Sequence, residues 1–475
     1  MLYPEAIQFL YDLRLFGAEF GLENTFRLAA LAGDPQNRLR FIHVAGTNGK
    51  GSTCAMLEGI YRASGLRVGL FTSPHLVSFR ERIQVNRQWV GEDDVVRLVT
   101  ELRQYCRTGV APVANLIFKN KKSTDGDRRD ACPTFFEFVT VMALKFFAEQ
   151  HCDLVIWETG LGGRLDATNI VTPLASIITN IQFDHQQWLG DTLARIAAEK
   201  AGIIKPGVPV ITTTDEPEAL KVIEEVARTQ KAPLIKVGQA SRLSPFEENK
   251  KSETGRMPVL PLPGEHQKTN AALALATVEV LQNQIPVTEE QIRAGLASVS
   301  WPGRLQLVAS KSGQKILLDG AHNPAGAKAL RAALKGTPTS GPASRRHNSK
   351  RAGPEAGAPI TIILGVLQDK DWRPICETLA PLAERIHTVP VASERSANPQ
   401  ELAEACRKIN PMAEIAACPS LGDALDKSAG DEFVVITGSL YLVGEALERL
   451  GLSPAGGGER GLNEWAGASP ALLRG

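Results

Sequence analysis

The stretch His43-Val44-Ala45-Gly46-Thr47-Asn48-Gly49-Lys50-Gly51-Ser52-Thr53 constrains this chain more than any other. An apolar run from Leu39 to Val44 feeds a glycine-rich turn. The turn carries one lysine, and two hydroxyl residues then open a helical pattern. Glycines let the backbone curl tightly enough to aim successive N–H groups at one oxyanion. The helix start adds unpaired N–H groups and the positive end of its dipole. Lys50 supplies a point charge for outer phosphates. The pattern predicts a cradle for a nucleoside triphosphate. It is not the commonest form of such a loop, because Val44 stands where a first glycine is usual and Gly51 separates the lysine from its hydroxyl residue. A bare glycine turn with a surface lysine is the bland reading. It fits less well, because strand, glycines, lysine and hydroxyls all agree in register.

A chain of 475 residues exceeds one ordinary core, which predicts two domains plus looser segments. Lys+Arg 53 against Asp+Glu 52 leaves no net field, which argues against nucleic-acid binding by bulk charge. The 7 cysteines form no CxxC pair, which predicts reduced thiols in a cytoplasmic protein and no zinc site. No signal peptide is apparent after Met1, and no apolar run approaches the ~20 residues of a membrane-spanning helix. The expectation is a soluble monomer with no membrane partner.

Apolar runs at Arg40–Ala45, Arg67–Thr72, Asp153–Glu158, Ala175–Asn180 and Val208–Thr213 read as strands. Amphipathic stretches such as Cys54–Ser64 and Phe135–Glu149 lie between several of them. This alternation predicts a parallel sheet covered on both faces. A second series follows Trp301-Pro302-Gly303-Arg304, with strands at Lys315–Asp319, Pro359–Leu364, Arg385–Val391 and Glu432–Thr437. Its helices are expected at Pro324–Leu334, Arg373–Ala383, Pro399–Ile409 and Tyr441–Leu450. The predicted fold is α/β: a P-loop-type, mostly parallel sheet domain over 1–300, then a smaller Rossmann-like α/β domain over 304–452. The polar stretch at about 114–131 reads as a surface insertion. The Gly/Pro/Ser/Arg-rich stretch at about 336–358 reads as a disordered one, and 453–475 as a loose tail.

Three further acids stand at the ends of strand-like runs. Glu158 ends Asp153–Glu158, at the sheet edge where ligands sit in open α/β folds. A carboxylate beside a phosphate loop calls for a cation, and Mg²⁺ is the natural one; the blander reading of Glu158 is a solvated acid in a capped turn. Asp184-His185 follows another apolar run, where a structural reading competes with a catalytic one until its sheet edge is considered. Asp319 opens Asp319-Gly320-Ala321-His322-Asn323-Pro324, ahead of a proline-started helix. Arg304 lies at the domain junction, placed either to clamp phosphate oxygens or to pair with a surface acid.

These motifs together resemble the folylpolyglutamate synthase/dihydrofolate synthase branch of the Mur ligases. The carriers are the phosphate loop, Thr72-Ser73-Pro74-His75-Leu76, Glu158 through Asn169, Phe183-Asp184-His185, Glu199-Lys200-Ala201-Gly202-Ile203 and Asp319 through Pro324, in that order. The resemblance implies an ATP-dependent amide ligase that joins L-glutamate to dihydropteroate or to (tetrahydro)folates through an acyl phosphate. It implies that Thr47, Asn48, Gly49 and Lys50 bind the ATP phosphates, and that Asn270, Arg304 and Asp319 contact the nucleotide. Ser73, Glu158 and His185 match magnesium positions, and Lys200 matches a lysine that carries a carbamate. By pattern alone, Lys200 is an ordinary helix-surface lysine. Thr134, Phe135, Phe136, Glu137, Leu165, Asp166 and Ala167 match the pterin region. Two adjacent phenylalanines opening an apolar helix also read as core, and Cys132-Pro133 departs from the usual pair before them. The catalytic set implied is Lys50, His185, Lys200 and, in glutamate or phosphate handling, His322.

Other readings are a cell-wall Mur ligase, a regulatory GTPase and a non-catalytic nucleotide-binding protein. Only about 45 residues precede Gly46, too few for the nucleotide-sugar domain of the first. No Asn/Thr-Lys-x-Asp motif supports the second. The set Lys50, Glu158, His185 and Asp319 speaks against the third.

Overall fold

A computed structural model describes residues 1–13, 21–105, 133–238, 260–310, 313–335, 359–453 and 459. The stretches expected as insertions, about 114–131 and 336–358, fall outside the described residues, as does most of 453–475.

Fourteen strands among the described residues form two sheets. The first sheet contains β1 (Phe41–Ala45), β2 (Val68–Phe71), β3 (Ile83–Val85), β4 (Gln88–Trp89), β5 (Leu154–Glu158), β6 (Ala175–Ile178), β7 (Val210–Thr212) and β8 (Leu234–Lys236), in the order β4-β3-β2-β5-β1-β6-β7-β8. The second contains β9 (Gln306–Ala309), β10 (Lys315–Asp319), β11 (Thr361–Leu364), β12 (Arg385–Thr388), β13 (Glu414–Ala417) and β14 (Phe433–Thr437), in the order β13-β12-β11-β14-β10-β9. Both are parallel through the centre, as expected. Each also carries antiparallel edge pairs, β2–β3–β4 in one and β9–β10 in the other.

Alternation along the central strands builds two cores at once, because successive side chains point to opposite faces. Phe41, Val155 and Trp157 face the helices Tyr3–Leu13, Glu23–Leu31, Glu92–Arg103 and Phe135–Glu149. Ile42, Leu154 and Ile156 face the helices Lys50–Ala63, Glu265–Val280 and Glu289–Ala297. The second sheet is likewise covered on one face by Pro324–Lys335, Trp372–Leu379 and Pro399–Ile409, and on the other by Leu421–Lys427 and Leu440–Arg449. Leu76 and Val77, from the loop after β2, belong to that last core and cross from the first half of the chain into the second.

Strand register decides what meets at the sheet edge. Val44 of β1 pairs with Glu158 of β5, Ala45 pairs with Ile178 of β6, and Phe71 of β2 pairs with Trp157. The loops after β1, β5, β6 and β2 therefore emerge side by side. In the second sheet Asp319 pairs with Thr437 and Thr437 with Leu364, so the loops after β10, β14 and β11 also emerge together.

Candidate active site

The two sets of strand-end loops line one cavity of about 930 Å³. Every candidate residue named from the sequence lies on its wall: the phosphate loop, Ser73, the Thr134–Glu137 segment, Glu158, the Leu165–Ala167 segment, His185, Lys200, Asn270, Arg304, Asp319 and His322.

The loop itself is built by contacts to β6's continuation. Thr47 N donates to Asn180 O (2.8 Å), Asn48 N to Asn180 Oδ1 (2.8 Å), and the Thr179 hydroxyl to Asn48 O (2.7 Å). Gly46 has φ 146°, and a Cβ there would collide with the Thr179 hydroxyl. Gly49, at φ 86°, caps the helix Lys50–Ala63 and leaves room for the Asn270 amide. Gly51, which replaces the usual hydroxyl residue, lies under the Trp301 ring of the linker between the sheets. That packing explains the departure from the common loop.

Lys50 Nζ turns inward and donates to Gly46 O (3.0 Å) and Thr47 O (3.3 Å). Lys200 Nζ donates to the same Gly46 carbonyl at 2.8 Å. Lys200 is 4% exposed, which overturns the surface-lysine reading of its pattern. Its helix, Leu193–Ala201, places Ile196, Ala197 and Ala201 in a core and Lys200 beside them, a burial that one lysine in a mixed sequence does not announce. Burial and the nearby charge of Lys50 push Lys200 down to about 7.

Glu158 is 4% exposed. It accepts from Ser73 N at 3.1 Å, and burial pushes it up to about 7 against the pull of Lys50, Arg304 and Arg82. An acid in this state gains from a bound cation. The donors to hand are hard oxygens from Glu158 and Ser73, with the His185 imidazole nearby. They suit Mg²⁺, which keeps several waters and shares itself with phosphates. Among the described residues no three His, Cys, Asp or Glu side chains form a ready cage. A carbamate on Lys200 would add an oxygen donor.

His185 adopts a left-handed conformation, φ 52° and ψ 37°, with its N–H donated to the Asp184 carboxylate at 2.9 Å. Its Nε2 lies 3.1 Å from Lys370 Nζ. Burial, then the Lys370 charge, lowers His185 to about 3, so the imidazole is neutral and suited to ligating. His322 Nδ1 donates to Gly320 O at 2.8 Å, leaving Nε2 3.5 Å from the Asp184 carboxylate. Asp319 accepts from Leu305 N (2.9 Å) and Ala321 N (3.0 Å), tying the inter-sheet linker to β10.

The expected pterin region divides in two. Thr134 and Glu137 form a reciprocal cap that opens the helix Phe135–Glu149. Asp166 accepts from Gly160 N, Leu161 N and Thr168 N, so it shapes the loop after β5. The two phenylalanines sit at the cavity wall: Phe135 under the Arg82 guanidinium, 5.4 Å from the ring centre, and Phe136 beside Phe71 and over Gly160.

Sequence reasoning missed Arg82, Lys370 and Arg395 as wall residues, and gave neither Asn323 nor Asp184 a role of its own. Lys370 and Asn323 do follow strand ends, β11 and β10, so the rule that found Glu158 pointed at them as well.

Residues 124–278 match the family described as Mur ligase middle domain, and 303–440 match Mur ligase, glutamate ligase domain. The dihydrofolate synthase/folylpolyglutamate synthase of Bacillus subtilis (strain 168) is 34% identical over 463 residues, covering 94% of this chain and 99% of that protein. A crystal structure of folylpolyglutamate synthase from Thermotoga maritima superposes with a TM-score of 0.74 at 32% identity, covering 97% of this chain and 98% of that one. Escherichia coli FolC in complex with DHPP and ADP superposes with a TM-score of 0.74 at 28% identity, covering 95% and 98%.

Proposed function

The chain belongs to the dihydrofolate synthase/folylpolyglutamate synthase family of Mur ligases, and from that membership we propose how its cavity works. It is an ATP-dependent ligase that adds L-glutamate to dihydropteroate or to folates. A carboxylate does not condense with an amine in water, because its leaving group is an oxide. Transfer of the γ-phosphoryl group from ATP makes an acyl phosphate, from which phosphate leaves readily.

Thr47, Asn48 and Gly49 shape the turn that receives the ATP phosphates, and the N–H groups opening the helix Lys50–Ala63 face them. Lys50 leaves its two carbonyls to neutralise the transferring group. Asn270, Arg304 and Asp319 hold the rest of the nucleotide. The acceptor lies along Phe135, Phe136 and Leu165–Ala167, with its carboxylate toward Lys50. Glu158, Ser73, His185 and carbamylated Lys200 would hold Mg²⁺, which supplies charge neutralisation at the phosphates. Glutamate is held toward the second sheet's loops, where Lys370 and Arg395 carry positive charge and His322 faces the cavity. Its free amine attacks the acyl carbon, and the tetrahedral intermediate collapses to amide and phosphate. Closure of the two halves keeps water from the acyl phosphate. The unit boundary falls near 300–304. The protein works as a monomer in the cytoplasm; the free, buried Cys54, Cys152, Cys376, Cys406 and Cys418 support the reducing compartment.

The observation that carries this reading is the convergence of the phosphate loop, Glu158 and buried Lys200 from one sheet with Arg304 and Asp319 from the other on a single cavity. The test is ATP-dependent phosphate release with glutamate and three acceptors: dihydropteroate, tetrahydrofolate and a nucleotide-sugar peptide. Turnover with either of the first two is expected; turnover with the last alone overturns the substrate.

A further inference from the structure

Asp184 lies in the loop after β6, yet three side chains from the second sheet's loops converge on it. Lys370 Nζ is 2.6 Å from Oδ1, Asn323 Nδ2 donates to Oδ2 at 3.2 Å, and His322 Nε2 is 3.5 Å from Oδ2. The Asp184 and Lys370 side chains are each 8% exposed. Asn323, 2% exposed, also donates to Asn48 Oδ1 of the phosphate loop at 2.9 Å, while its own oxygen accepts from Gly326 N at 2.8 Å in the first turn of Pro324–Lys335. One amide thus bridges the phosphate loop, Asp184 and a helix of the second half.

A buried ion pair is a poor adhesive, because desolvation offsets much of its attraction. Removing one partner is costly all the same, since it strands the other charge. Such a pair makes docking selective: the halves fit in the one arrangement that brings Lys370 onto Asp184. We propose that Asp184 is a positioning residue, the post on which the second sheet's loops seat, with Lys370 as counter-charge and Asn323 transmitting the seating to Asn48. The phosphate loop then takes its working shape when the second half is in place. This ties phosphoryl transfer to a closed cavity, and it rests on the ATP site proposed above.

The test combines small-angle scattering, ADP binding and steady-state kinetics on the full chain. D184N strands Lys370, so the ligand-free protein is expected to scatter as a more extended particle, with kcat for ligation at least tenfold lower. D184N/K370M removes the stranded charge and is expected to return the scattering curve to that of wild type. N323A breaks the transmission alone: wild-type scattering, an ADP dissociation constant within threefold of wild type, and kcat lower by tenfold or more. Scattering by D184N that superimposes on wild type overturns the docking post, and wild-type kcat in N323A overturns the transmission. Should D184N fail to fold, judged by circular dichroism, K370M takes its place: it strands Asp184, is expected to give the same extended scattering, and overturns the post if its curve superimposes on wild type. The scattering arm assumes no substrate, so failure of the ligase reading and failure of the post are distinguishable.

Discussion

Lys50 is held inside the cavity by two carbonyls of its own loop, a short swing from where phosphates would lie. Its loss in Lys50→Ala is expected to cost about 3 kcal/mol in kcat/KM, the size of a lost preorganised electrostatic donor. Near wild-type ligation would remove the phosphate-cradle argument. Glu158 and Lys200 set the acidic limb of the pH profile. Both titrate near 7 in the ligand-free protein, Glu158 raised and Lys200 lowered. Cation binding needs Glu158 as carboxylate, and carbamate formation needs Lys200 as free amine. Both forms appear as pH rises through about 7, so ligation should fall steeply below 7, with a log-rate slope above one. Bicarbonate should restore turnover in CO₂-depleted buffer for wild type and not for Lys200→Ala; a profile flat from pH 6 to 8 contradicts the pair. At this scale the sequence was uneven. Glycines and strand-end acids announced the phosphate loop, Glu158 and Asp319. The burial of Lys200 and the partners of Asp184 depend on which helix face and which distant loop pack there, and no local pattern carries that.

Among elements, the central strands were readable because they are buried on both faces and appear as unbroken apolar runs. The edge strands β4, β8, β9 and β13 were missed, and with them β3, which lies beside β4. All five are two to four residues long, and the four edge strands are partly exposed, so none appears as a long apolar run. Close helix approach was equally silent. A Cβ on Gly295 would press into the backbone at Gly59 and Ile60, so Glu289–Ala297 lies directly on Lys50–Ala63. Gly295→Ala should force the two helices apart and destabilise the protein by about 1–3 kcal/mol, as overpacking does. Because Lys50–Ala63 presents Lys50 from its first turn, ADP affinity should drop with it. Unchanged denaturant midpoint and ADP affinity would show that the helices can separate freely. Gly46→Ala is a sharper change: with φ 146° and the Thr179 hydroxyl in the way, the loop cannot keep its shape, and ADP binding by calorimetry should weaken at least a hundredfold.

In the molecule as a whole, the two halves share more than a polar cavity. Leu76 N and Val77 N donate to the Glu81 carboxylate at 2.7 and 2.8 Å, which anchors their loop to the first half. Their side chains meanwhile lie in a core with Ile316, Leu318 and Val443 of the second half. Ser73, an expected magnesium position, is three residues upstream of Leu76. Movement of the second half therefore pulls on the loop that carries Ser73, and the apolar contact supplies the cohesion that the Asp184 ion pair does not. The tail adds a polar tie: Glu459, within a segment expected to be loose, accepts from Ser78 Oγ (2.9 Å), Phe79 N (2.7 Å) and Tyr3 OH (3.1 Å). Truncating a buried leucine typically removes about 2–5 kcal/mol. In Leu76→Ala that loss falls on the docking of the halves, since the other residues of both cores keep their packing. Calorimetry should then resolve two melting transitions where wild type melts with the halves coupled, and kcat for ligation should fall while ADP affinity stays near wild type. A single transition lowered as a block would mean instead that the halves unfold together, with Leu76 serving one common core.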